Sequence, residues 1–483
     1  MRVVLVPFPL QGHITPMLQL GSMLHSKGFS ITIAHTDHNP PNPSNHPNFT
    51  FVNLPDQLGP NSNPTFHDLL PVILGINNYC REPLHKHLSE MIENQERDGG
   101  VVACVIHDPI MYFVDSVAKQ LQIPSLILRT TSAAYLKTMR INVELHQEYK
   151  YTPLPESRLL EKVSNLEPLR FKDLPSPLHV RIPEFIIQLQ RDLINKGSSV
   201  AFIWNTLDDL EGLILSELQE KDNIPFFSIG PFHKLVPKLS TTLIEEDKTC
   251  MEWLDKQSLK SVLYVSFGSL ATLESKAVVE IARGLAQSEQ PFLWVIRPGL
   301  IKGSKWIEDL PEGFQEEIGQ RGLIVKWAPQ RDVLSHFAIG AFWSHCGWNS
   351  IMESASQGVP LICKPCFSDQ RVNAMFLTHV WKIGILLDDP LDRESIEKSI
   401  RRVMVDEEGK EIRENAMDFK QKVHASVQQG GDSNKCLNEL TDFIASLVMA
   451  QKSNTNDGSS LNQLKDLAHQ KFRTPNHKNK IDG

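Results

Sequence analysis

Short apolar, β-branched runs alternate with helical patterns through most of the chain, and this alternation restricts the fold more tightly than any other feature. In the first half the runs are Val3–Val6, Ile31–Ala34, Val102–Ile106, Leu126–Leu128 and Ala201–Trp204. In the second they are Val262–Ser266, Phe292–Ile296, Leu323–Lys326, Ala341–Trp343 and Leu361–Cys363. Strands this continuously apolar need cover on both faces, as in parallel sheets flanked by helices. The spacing predicts helices over Pro16–Lys27, Ser275–Gln287, Asn349–Gln357, Arg371–Trp381, Glu394–Val405 and Glu411–Ser426.

At 483 residues the chain is too long for one ordinary core. Ile229-Gly-Pro-Phe232 ends a run with Gly-Pro, and a polar stretch continues through Lys248 before Cys250-Met-Glu-Trp253 opens a new helix. The chain therefore reads as α/β, with two doubly wound, Rossmann-like domains at residues 1–232 and 250–450 and a linker at 233–249. A ligand would lie in the cleft between them, beyond the carboxyl ends of both sets of strands. Residues 451–483, rich in Asn, Lys, Ser and Gln, are expected to form a disordered tail.

Composition removes several function classes. Apolar residues make up 41% and charged residues 22%, a globular balance. A net charge of −8 does not attract nucleic acid or an anionic membrane surface, so a small ligand is the expected partner. The seven cysteines are odd in number and scattered, which points to a reducing compartment. Cys363-Lys-Pro-Cys366 has no second ligand pair for zinc and reads as two ordinary thiols. No apolar run approaches the ~20 residues of a membrane span. Pro7 and Pro9 break the only N-terminal apolar run, so no secretory signal is expected. The expected setting is the cytoplasm, and the expected state a monomer.

The stretch from Trp327 to Gln370 is the richest in chemistry. Pro329 breaks a strand and leaves the Trp327 indole at a sheet edge. Ala341–Trp343 then meets Ser344-His-Cys-Gly347, and a helix is expected to begin at Trp348-Asn-Ser350. Free backbone N–H groups at a helix start bind anions, and Gly347 lets a phosphate come close. Asn349 and Ser350 add side-chain donors, and Glu353 lies one turn on from Asn349. A carboxylate there suits ribose hydroxyls and would repel phosphate. Singly, each residue is an ordinary core or capping group; their combination points to a nucleotide.

In the first half, a strand runs into Gln11-Gly12-His13-Ile14-Thr15-Pro16. Thr15 is a good N-cap and Pro16 suits the first helical position, which would leave His13 in the loop before the helix. The positive end of the helix dipole would favour a neutral imidazole able to accept a proton. Asp108 ends the run Val102–Ile106, and parallel strands end on one edge, so Asp108 could orient His13. His107 is a competing candidate on chemistry alone. Acceptor-pocket candidates are Pro9–Gln11, Ile76–Tyr79, Met111–Phe113, Thr131–Tyr135 and the region Val180–Leu193, with Gln11, Met111 and Thr131 foremost.

The Trp327–Gln370 stretch, with Trp-Ala-Pro-Gln330, His345-Cys-Gly-Trp-Asn-Ser350, Gly358-Val-Pro360 and Asp369-Gln370, resembles the signature box of plant UDP-glycosyltransferases acting on small molecules. Val262-Leu-Tyr-Val-Ser-Phe-Gly-Ser269 and Phe292-Leu-Trp-Val-Ile-Arg297 look closest to the steviol and cytokinin glucosyltransferase branch. The resemblance implies a GT-B fold, two Rossmann-like domains facing across a cleft. It implies that Trp327 stacks on uracil and that Ala328 bonds the base through its backbone. Gln330 and Glu353 would hold the ribose; Ser269, His345, Asn349 and Ser350, around Gly347, the diphosphate; Trp348, Asp369 and Gln370 the sugar. A final Gln is similar to the glucose-using members, so UDP-glucose is the implied donor. His13 becomes the implied base and Asp108 its partner, in an inverting transfer to a small acceptor with no further cofactor and no metal. The alternative is a non-catalytic nucleotide-sugar or small-ligand binding protein of the same fold.

Overall fold

The computed structural model describes residues 1–58, 69–95, 100–149, 153–176, 178–237 and 244–457. Its apolar runs pair as two wholly parallel sheets. The first contains β1 (Arg2–Val6), β2 (Ser30–Thr36), β3 (Phe49–Leu54), β4 (Val102–His107), β5 (Ser125–Arg129), β6 (Ala201–Trp204) and β7 (Phe226–Ser228). The second contains β8 (Val262–Ser266), β9 (Phe292–Val295), β10 (Gly322–Val325), β11 (Ile339–Ser344), β12 (Leu361–Cys363) and β13 (Gly384–Leu386). Their orders are β3-β2-β1-β4-β5-β6-β7 and β10-β9-β8-β11-β12-β13.

Each sheet is doubly wound. The chain steps outward on one side of its first strand, then returns and builds on the other. The reversal falls between β1 and β4, where Val6 pairs with His107, and between β8 and β11, where Ser266 pairs with Ser344. Connections leave those neighbouring strand ends in opposite directions and open a crevice there. Three strands escape the sequence reading. β3, β7 and β13 are edge strands, the last two only three residues long, and an edge strand needs less apolar cover.

Two local departures bear on the site. The first helix spans Gln11–Ser26, so Thr15 does not cap it and Pro16 lies inside it. His13 thus sits in the first helical turn rather than in a preceding loop. Second, the 250–450 unit gives up its last element. The helix Asp432–Asp457 buries Leu437, Leu440, Phe443, Ile444, Leu447 and Val448 in the core of the first sheet, beside Ile203 and Phe227. Its apolar residues recur at helical spacing, which marks a buried face without saying which sheet it covers. The backbone stays helical through 457, past the expected start of the tail at 451; residues 458–483 of that expectation lie outside the described residues. Among the described residues no helix is long and apolar enough to cross a membrane.

Candidate active site

A cavity of about 970 Å³ opens between the two sheets. Most of its lining sits at or just beyond the carboxyl ends of strands: residues 8 and 10–13 after β1, 109–110 after β4, 129–131 at the end of β5, 268–270 after β8, 327–332 after β10, 345 and 347–350 after β11 and 367–370 after β12.

On the first-sheet side, His13 and Asp108 leave the two strands that flank the reversal. His13 Nδ1 lies 2.7 Å from Asp108 Oδ2. The Asp108 side chain is fully buried, and its Oδ1 accepts the Ile110 N–H at 2.9 Å. A carboxylate can only accept, so Nδ1 carries the proton and Nε2 keeps its lone pair. Thr130 Oγ1 lies 3.1 Å from Nδ1 and 3.5 Å from Asp108 Oδ2, closing a three-membered cluster. Burial pulls the His13 pKa down, but the Asp108 charge and hydrogen bond, helped by Asp369, outweigh it and leave the pKa raised. His107 is excluded: it is buried, its Nδ1 bonds the Asp108 carbonyl, and it does not line the cavity.

The second-sheet side carries the expected box. Gly347 caps the helix Trp348–Ala355, so the first-turn N–H groups there lack helical partners. His345 lies between two glycines, where a Cβ on Gly268 would come within 2.6 Å of the ring and one on Gly347 within 2.5 Å. Burial drives the His345 pKa down to about 4, with the Arg297 charge acting the same way, so the ring is neutral at pH 7. Gln330 donates to Ser350 Oγ at 3.0 Å and to Glu353 Oε2 at 2.8 Å, the second bond joining the two residues expected at a ribose. The Gln370 side-chain oxygen accepts the N–H groups of Cys366 and Phe367 at 2.8 and 3.1 Å. That fixes the amide and leaves its NH₂ as a donor. Asp369 is buried, which lifts its carboxyl to about 6 although Asn373 bonds it at 2.8 Å. Trp327, Ala328 and Ser269 also line the cavity.

Trp348 lines the cavity as well. Its indole N–H donates to the Asn205 carbonyl at 2.8 Å across the domain boundary, so the ring has no donor left for a sugar. Any contact of that kind must come from its backbone N–H.

The acceptor candidates divide. Gln11 and Thr131 line the cavity, as do Tyr135, Ile186, Leu189 and Leu193. Met111 does not: it is fully buried in the core with Phe113 and Ile76, because the turn after Asp108 directs it inward. The wall expected from Ile76–Tyr79 comes instead from Leu69, Leu70 and Ile73, a turn or two earlier on the helix Leu69–Tyr79. The sequence reading missed Thr130, Asn205, Asn373 and Arg297. Arg297 gives its guanidinium to the Gly268 and Ala271 carbonyls at 3.2 and 2.5 Å, bracing the turn beneath His345. Only the Phe292–Arg297 text hinted at it; the other three act through contacts between distant segments.

Comparisons with known proteins agree with this geometry. Residues 242–426 match the family model described as UDP-glucoronosyl and UDP-glucosyl transferase. The chain is 49% identical to UDP-glycosyltransferase 76E1 of Solanum lycopersicum over 449 residues, 92% of each chain. It is 45% identical to flavonol 3-O-glucosyltransferase UGT76E12 of Arabidopsis thaliana, over 92% of this chain and 97% of that one. Among solved structures, Phytolacca americana UGT2 complexed with UDP-2fluoro-glucose and pterostilbene superposes with a TM-score of 0.77 at 28% identity, covering 91% of this chain and 98% of that one. With that sequence identity sustained along nearly its whole length, and the two reversal points opening on one cavity, the chain belongs to the UDP-glycosyltransferase family beside its plant members.

Proposed function

We propose that the protein transfers glucose, with inversion, from UDP-glucose to a hydroxyl, carboxyl or amine of a small lipophilic acceptor. The observation that carries this reading is His13, held by the buried Asp108, on the wall of the cavity that the donor box also lines. His13 Nε2 takes the acceptor's proton as its oxygen or nitrogen bonds the anomeric carbon. The bond from that carbon to the diphosphate oxygen breaks from the opposite face, and UDP leaves with the electron pair. An α-linked donor thus gives a β-glycoside. Asp108 and Thr130 hold the imidazolium that forms.

In the same reading Trp327 stacks on uracil, Ala328 bonds it, and Gln330 with Glu353 holds the ribose. The helix start at Gly347–Ser350, with His345, Asn349 and Ser269, receives the charge growing on the diphosphate. Asp369 and Gln370 take sugar hydroxyls, one accepting and one donating. The lipophilic acceptor rests on the largely apolar first-sheet wall and on the acceptors named for the flavonol glucosyltransferase relative and the pterostilbene complex. The test is a screen of purified protein with UDP-glucose against small phenols, acids and amines, reading products by mass and anomeric configuration by NMR. A β-glucoside supports the reading. An α-product, or UDP-glucose binding with no product from any acceptor, overturns it, the latter in favour of a binding protein.

A further inference from the structure

One polar side chain stands among the apolar residues that a single helix presents to the acceptor wall. From the helix Glu184–Ile194, Ile186, Leu189 and Leu193 line the cavity on one helical face, and Gln190 falls within that face. The Gln190 side chain is 9% exposed, and one of its amide atoms bonds Ser176 Oγ. Its other polar atom, Oε1, is buried without a partner. Ser176 is itself fixed, since the fully buried Asn142 accepts its N–H at 3.0 Å and donates to its carbonyl at 3.2 Å. The amide is therefore held at one end, and its other polar atom is left without a partner. Buried polar atoms rarely stay unpaired in native proteins, because leaving one unsatisfied is costly.

We propose that Gln190 is a specificity-determining residue that binds a second hydroxyl of the acceptor, distinct from the group that His13 deprotonates. The acceptor class becomes an apolar body carrying at least two polar hydroxyl positions. A hydroxyl is the group that fits, because Ser176 Oγ can donate or accept. Whichever way the amide is turned, the atom left over is either an acceptor or a donor, and a hydroxyl answers both. The helix is anchored beside the base: Arg129 Nη1 holds the Leu193 carbonyl at 2.8 Å, and the next residue, Thr130, bonds His13. Gln190 and His13 therefore line one cavity from neighbouring elements. This inference rests on the reading of the cavity's first-sheet side as the acceptor site.

Matched pairs test it: 2-naphthol against 2,6-dihydroxynaphthalene, and 4-hydroxybiphenyl against 4,4′-dihydroxybiphenyl. Each is titrated by calorimetry into UDP-loaded protein and also assayed for turnover. At least one diol should bind about tenfold more tightly than its partner, beyond the statistical gain of a second equivalent hydroxyl. Gln190→Leu and the unbranched Gln190→Met should erase that preference while leaving affinity and turnover of the monohydroxyl partner within about twofold. Equal binding within every pair, or variants that weaken both members alike, would overturn the inference. Diol preference lost in the variants but without any turnover would uphold Gln190 and sink the transferase reading instead.

Discussion

Asn349 donates its side-chain amide to the Gly12 carbonyl at 2.8 Å, and that carbonyl lacks its helical donor because Pro16, four residues on, has no N–H. The proline that looked like a helix start is instead the reason a backbone acceptor is free in the turn carrying His13. The donor-side helix is thereby tied to the turn of the base. Asn205 Nδ2, 3.4 Å from the Asn349 oxygen, and the Trp348 indole on the Asn205 carbonyl extend the same seam.

Asn349→Ala should therefore lose both a diphosphate donor and this tie. The expected cost is roughly 10–100-fold in kcat/KM for UDP-glucose, the range of a hydrogen bond to a charged group. Initial rates over varied donor concentration measure it. A change within about twofold would show that neither contact matters to turnover.

The pH dependence has a definite sign. Because Asp108 holds the His13 pKa above the ordinary 6.5, imidazolium persists to higher pH, and activity should fall as pH drops through a midpoint above 6.5. Asp108→Asn removes the main raising influence and leaves burial, which lowers the pKa. The acid limb should then move to lower pH while the plateau rate falls roughly 10²–10⁴-fold. Asp369, pushed up to about 6 by burial, also acts on His13 through its charge. Asp369→Asn is the control, and should move the midpoint less than Asp108→Asn does.

Much of this was legible in the residues. Buried parallel strands announce themselves as continuous apolar runs, so ten of the thirteen strands among the described residues, and the donor box, could be placed from sequence. Edge strands such as β13 carry too few residues to signal. The helix Asp432–Asp457 shows an apolar face, but nothing local tells that Phe443 meets Phe227 rather than the sheet nearer in sequence. Thr130 carries no signal of its own in the sequence, because only the strand's register decides that it reaches His13. For a related reason the sequence is silent on the Trp348 indole, which is spent on a carbonyl more than a hundred residues away.

Gly268 tests the support of His345. It has φ +72°, and a Cβ there would press on the imidazole. Gly268→Ala should cost of order 1–3 kcal/mol in stability through backbone strain. It should also raise the KM for UDP-glucose by displacing the ring from the diphosphate position. Thermal melts with and without UDP separate the two effects: the melting temperature should fall, and the rise that UDP confers should shrink. An unchanged UDP-induced rise would remove His345 from the donor site.

The central claim is that His13 is the base. The most direct measurement compares His13→Ala with the unaltered chain, recording turnover with UDP-glucose and a competent acceptor alongside UDP affinity by calorimetry. The account predicts a fall in kcat of at least ~10²-fold, with UDP affinity nearly unchanged because no donor contact has been removed. A His13→Ala enzyme that turns over at close to the original rate would contradict it.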